Sequence, residues 1–197
     1  MTMPEAPLIL TLTLDNVSQQ YFNQLRKAHF PPERNYLDAH LTLFHHLPQG
    51  ENAITEAVES LTKHHHKIQL QVTGLRSIGN GVAFPIESNE LQQMHKQLQN
   101  SWQPWLIPQD RQKLWPHITL QNKVNPDVAQ QLKENLEQEF TPFEVTGTGL
   151  SLFEYQGGPW KFVQEFEFAG DKPVSLRLSK TLQSAECFYK LSMTINY

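Results

Sequence analysis

The chain has 197 residues, 39% of them hydrophobic and 18% charged, which is enough apolar content to bury the core of one domain or of two small lobes. Sixteen Lys and Arg against twenty Asp and Glu leave a net charge of −4, which argues against non-specific binding to duplex DNA, where affinity comes from Lys and Arg displacing counterions. The single cysteine, Cys187, excludes an internal disulfide and a cysteine-built zinc site, and it fits a reducing cytoplasm.

In chain order, the apolar-leaning stretch Ala6 to Leu14 comes first. It is too short to span a bilayer and has no basic flank, so it reads as a strand over Leu8 to Leu14 and not as a membrane helix or signal peptide. Val17, Tyr21, Leu25 and Ala28 then recur at helical spacing behind a cap at Asp15 or Asn16. Ala39-His40-Leu41-Thr42-Leu43 alternates as a strand. Ile54, Ala57, Val58 and Leu61 mark a second helix. Ile68, Leu70 and Val72, a turn at Gly79 to Gly81, and Val82, Phe84 and Ile86 make a hairpin.

The same four kinds of element follow again. Leu91, Met94, Leu98 and Trp102 form a helix behind Ser88. Pro116-His117-Ile118-Thr119-Leu120 is a strand. Val128, Leu132, Leu136 and Phe140 form a helix capped by Asn125, with Pro126 at its first position. Leu150 and Leu152, a turn at Gly157-Gly158-Pro159, and the same-parity set Trp160, Phe162, Gln164, Phe166 and Phe168 form a hairpin. Counterparts such as Val17 and Leu91, His40 and His117, or Thr73-Gly74-Leu75 and Thr148-Gly149-Leu150 lie between 74 and 77 positions apart. The order predicts an α+β fold: a bilobal, pseudo-twofold arrangement of two antiparallel sheets with outer helices and a central cleft. An α+β domain whose element order repeats by coincidence is the alternative. Residues 1–170 form one domain in this reading, with repeats over about 16–88 and 89–169, because neither lobe carries enough apolar surface to stand alone. Residues 171–197 are a C-terminal extension with no assigned role. It includes a short strand at Ser175 to Ser179 and a mildly apolar run from Cys187 to Ile195.

Side chains alternate faces along a strand, so His40 and Thr42 share one face while Leu41 and Leu43 take the other. His117 and Thr119 share a face in the same way, opposite Ile118 and Leu120. A twofold would bring two imidazoles and two hydroxyls around one pocket. Imidazole titrates near neutral pH, so two of them on opposite sides of a cleft suit in-line attack at phosphorus, one as base and one as acid. The hydroxyls can hydrogen-bond the non-bridging oxygens, and this chemistry needs no metal.

HLTL at 40–43 and PHITL at 116–120 resemble the paired H-x-T/S-hydrophobic signatures of the two-histidine (2H) phosphoesterase superfamily, nearest to its 2′-5′ RNA ligase and cyclic phosphodiesterase family. Gly81 to Ile86 and Leu152 to Trp160 are similar to that family's hairpins, and the likeness covers about residues 7–169. The resemblance implies a metal-independent enzyme that hydrolyses 2′,3′-cyclic phosphates of RNA ends or nucleotides; the chain is expected to be a cytoplasmic monomer that needs no cofactor. Some members also join RNA halves through a 2′-5′ bond. By position it makes His40 and His117 the acid–base pair and Thr42 and Thr119 the phosphate ligands, with His117 activating water and His40 protonating the leaving oxygen. Lys123 stands behind Gln121 and Asn122, where members acting on RNA ends often carry a basic residue directly after the motif.

The remaining candidates have ordinary structural readings. On a regular strand His46 would share the face of His40, and both it and His45 are expected at an edge or loop. His64-His65-His66 is expected at a solvated helix end. His29 and His95 are read as structural. Among the aromatics Phe84, Trp115, Phe153, Tyr155 and Trp160, a base could stack on one. Tyr155 is preferred, with Phe84 also retained as a substrate-binding candidate. Arg34, Arg76, Arg111 and Lys123 are surface charges that could meet further phosphates. Two other functions fit the same residues: a nucleotide- or RNA-end-binding module without turnover, and a His-rich metal hydrolase, which lacks ligand spacing.

Overall fold

The structure, a computed structural model, describes residues 6–170; the expected extension, with its strand at Ser175 to Ser179 and Cys187, lies outside the described residues. The elements run β1 (Leu8–Leu14), α1 (Asn16–His29), β2 (Leu41–Leu47), α2 (Asn52–His64), β3 (Ile68–Val72), β4 (Arg76–Ser77), β5 (Val82–Glu87), α3 (Asn89–Ser101), β6 (His117–Gln121), α4 (Pro126–Glu137), β7 (Phe143–Tyr155) and β8 (Trp160–Glu167). No helix among the described residues is long and apolar enough to cross a membrane.

Local chemistry sets the helix starts. Asp15 caps α1 by accepting from the Val17 and Ser18 amides, each at 3.0 Å. Its second oxygen accepts from the Thr146 amide at 3.1 Å, which ties the start of α1 to β7. Ser88 caps α3, and Asn125 with Pro126 starts α4. Three apolar residues assigned to helix faces are exposed instead: Val17 (64%), Val128 (50%) and Ala28. Each lies off the buried stripe of its helix: Ser18, Tyr21, Phe22 and Leu25 cover the core from α1, and Ala129 does so from α4.

The sheet is antiparallel and runs β2-β1-β7-β3-β5, with β6 on the far edge of β5, β4 beside β5, and β8 beside β7. The two sheets expected from the repeat are two wings of this one sheet, joined through the 13-residue β7. Phe143 to Gly147 pair with β3, whereas Gly147 to Glu154 pair with β1. The wings do not follow the halves of the chain. The first half's hairpin, β3–β5, pairs with the second motif strand, β6, and the second half's hairpin, β7–β8, pairs with β1 beside the first motif strand, β2. Both motif strands are therefore edges, and the sheet curls into a nearly closed barrel in which β2 meets β6.

One core runs under both wings and includes Leu10, Leu41, Leu43 and Phe44 with Phe84, Ile118 and Leu120. The Thr-Gly-Leu tripeptides are not structural equivalents. Gly74 lies in a loop with open space where a Cβ would stand, but a Cβ on Gly149 would come within 2.5 Å of the Phe166 carbonyl of β8.

Candidate active site

The aliphatic residues of both motifs are buried, as alternation requires, and His40, Thr42, His117 and Thr119 are left half-buried on the other face. The two rings are held alike. His40 Nδ1 lies 2.7 Å from the Asp38 carbonyl, and His117 Nδ1 lies 2.8 Å from the Trp115 carbonyl. A carbonyl only accepts, so each Nδ1 carries hydrogen, and each neutral ring has its lone pair on Nε2. Each ring also meets an indole: Trp160 lies 4.6 Å from His40 between centroids, and Trp115 stacks on His117 at 4.1 Å. The Arg76 guanidinium sits over Trp115 at 4.9 Å.

The open edges of the motif strands are closed by buried charged side chains. Arg26, from α1, donates through Nη1 to the Thr119 carbonyl at 2.9 Å and through Nε to Asn35 Oδ1 and the Leu37 carbonyl. It thus connects β6 with the loop that carries Asp38. On β2, Asp110 accepts from the His45 and His46 amides and from His45 Nδ1, all at 3.0 Å. Sequence reasoning missed both residues. Arg26 lies one helical turn after Phe22 on a buried face, which is a readable signal, but Asp110 is an acid in a loop with no pattern around it.

Electrostatics links the site. Burial lowers the His40 pKa to about 4; the Asp38 carbonyl opposes this, and the charges of Arg26, His117 and His45 add to it. Burial also lowers that of His117, against the Trp115 carbonyl and with His45. His117 acts on His40, and His45 acts on both, which places the two motif rings in one electrostatic neighbourhood, where burial favours the neutral form of each. Burial lowers the Arg26 pKa to about 10, with Asp38 acting in the opposite sense.

A cleft of about 770 Å³ opens beside His40, lined by Thr11, Thr13, Asn23, Asp38, Ser151, Phe153 and Trp160 among others. It explains two corrections among the aromatic candidates. Phe84 is fully buried, 5.6 Å from the Phe22 ring, because its parity on β5 faces the core; it cannot meet substrate. Tyr155 is 40% exposed at the outer end of β7, and the cleft is lined instead by Trp160 opposite it and by Phe153. Among the other histidines, His95 is buried against Phe44, and His64 turns back onto the Ser60 carbonyl at the end of α2. No three His, Cys, Asp or Glu side chains among the described residues are grouped to hold a metal ion.

A family model described as the 2′-5′ RNA ligase superfamily matches residues 14–159. No curated protein matches the sequence. Among solved structures, the chain is similar to TT0787 of Thermus thermophilus (TM-score 0.61, 15% identity, 84% of this chain and 100% of that one). It is also similar to E. coli LigT complexed with NADP+ (TM-score 0.55, 16% identity, 83% and 98%). The match to LigT complexed with 3′-AMP is of the same order (TM-score 0.53, 16% identity, 83% and 98%). At these identities the likeness establishes the fold.

Proposed function

The chain belongs to the 2′-5′ RNA ligase superfamily, and on that premise we propose that it is a phosphoesterase that opens 2′,3′-cyclic phosphates of a nucleotide or an RNA end without a metal. The observation that carries this reading is the matched setting of His40 and His117, each with Nδ1 donated to the carbonyl two residues upstream and Nε2 left to exchange protons. Thr42 and Thr119 hold the non-bridging oxygens. His117 takes a proton from water as its oxygen attacks phosphorus. The bond to one ribose oxygen breaks, and His40 gives that oxygen a proton. The product is a phosphomonoester beside a free hydroxyl, and solvent restores the two rings. With a 5′-hydroxyl in place of water, that hydroxyl gives its proton to the base and its oxygen bonds to phosphorus. The bond to the 3′ oxygen breaks and the 3′ oxygen is protonated, which leaves a 2′-5′ bond. Such acid–base help is worth roughly 10²–10⁴-fold in rate.

The cleft beside His40 is large enough for a nucleoside and offers Trp160 and Phe153 for stacking. That the similar E. coli LigT has been crystallised with NADP+ and with 3′-AMP supports a nucleotide there. Burial favours the neutral form of both rings, the pair needs one proton to work, and the negative charge of the arriving phosphodiester favours its uptake. The test is turnover of 2′,3′-cyclic AMP in EDTA by the full chain and by His40→Ala and His117→Ala. Activity that survives chelation and disappears in both variants is expected. No turnover, or loss on chelation, would overturn the reading; nucleotide binding without turnover would leave a binding module.

A further inference from the structure

We infer that His45 is a third imidazole of this site, oriented by Asp110 so that, as the imidazolium, its Nε2–H donates to a phosphate oxygen of the ligand. The inference deepens the phosphate-site reading above and rests on it. β2 departs from regular pairing twice: Thr42 lies opposite Thr11, Phe44 opposite Leu10 and Leu47 opposite Leu8. Each step places one extra residue on β2. Leu41, Phe44 and Leu47 all reach the core despite a spacing of three, and His45 and His46 fall in the second widened step, both exposed. Simple alternation would have put His46 on the motif face. The structure instead makes His45 the ring whose charge acts on both His40 and His117.

His45 is not free to turn. Nδ1 donates to Asp110, whose side chain is 1% exposed, while the His45 side chain is 44% exposed. Asp110 is fixed in turn, since Gln99 Nε2 donates to its carbonyl at 3.0 Å. A carboxylate that orients an imidazole through one nitrogen commits the other to whatever the ring faces. Nε2 has no hydrogen-bond partner among the described residues. The corresponding position of the other half is Asn122, so this third ring stands on one side only.

Calorimetric titration of the full chain with inorganic phosphate and with adenosine 3′,5′-bisphosphate tests the inference without requiring turnover. His45→Ala should weaken phosphate binding about tenfold, the loss of one hydrogen bond to a charged group, at a temperature where the variant is still folded. Equal losses for both ligands assign His45 to the reacting phosphate, and a loss confined to the bisphosphate assigns it to a neighbouring one. Asp110→Asn, which keeps the shape but weakens the hold on the ring, should reproduce part of the loss. Affinities for both ligands within about twofold of wild type in His45→Ala would overturn the inference, as would a wild-type chain that binds neither. If phosphate binding depends on His45 while 2′,3′-cyclic AMP is not turned over, the enzymatic reading fails and this one stands. If turnover proceeds and neither KM nor phosphate affinity changes in His45→Ala, the reverse holds.

Discussion

The two motif strands carry the same residues at opposite edges of one sheet, yet their surroundings differ. In both, the imidazole is fixed by the carbonyl two residues upstream and meets an indole, and the aliphatic residues face the core. β6 is short, and its edge is closed by Arg26 on the Thr119 carbonyl. β2 is longer and twice widened, carries His45 against Asp110, and adjoins the cleft. Proton transfer asks for two alike rings; recognition of an asymmetric ligand asks for unlike flanks. The molecule keeps the first symmetric and varies the second.

The largest expected effects fall on the symmetric part. His40→Ala and His117→Ala should each lower kcat by about 10²–10⁴-fold, and the double variant little further, because the rings act as a unit. Additive losses measured by single-turnover kinetics would break the symmetry. The next effect is confined to the β2 side. His95, stacked on Phe44, has its pKa lowered to about 4, chiefly by burial. The unfolded chain takes up this proton near pH 6.5 and the native chain only near 4, so stability is lost as pH falls between these values. The loss is about 3 kcal/mol when complete, and His95→Gln should remove it from thermal melts recorded across that window.

Smaller again are the two edge closures. Arg26→Met and Asp110→Asn should each cost about 2 kcal/mol in denaturant unfolding, because buried partners are left unpaired. Amide exchange should rise along β6 for the first and along β2 for the second. Trp160→Ala should raise KM for a cyclic nucleotide roughly tenfold through lost stacking, and more than Trp115→Ala does, since only Trp160 lines the cleft. The smallest change is expected for Val17→Lys and Val128→Lys, within about 0.5 kcal/mol of wild type, because both side chains are already in water.

Features governed by near neighbours were legible in the sequence. The strand at Leu8–Leu14 and the caps at Ser88 and Asn125 agree with the structure, and Asp15 is the cap of the two proposed for α1. The His-x-Thr alternation was legible because each motif needs only its own strand. Phe84 shares the parity of Val82 and Ile86, so alternation already pointed it inward, and its retention as a stacking candidate ran against that signal. What required distant partners was not legible. His45 and His46 are exposed on an edge strand as expected, but counting by twos beyond Phe44 fails where β2 gains residues and could not tell the two rings apart. Asp110 reaches β2 from 65 positions away and leaves no local trace.

The exchange of hairpins between the halves bears on how this chain can be divided. If β7 is taken away, β1–β2 and β3–β5 have no ladder between them, and β6 has no strand but β5 to pair with. A polypeptide cut after residue 88 should therefore yield two fragments that fold only when mixed. A first half made alone would expose the very backbone that invites a second chain.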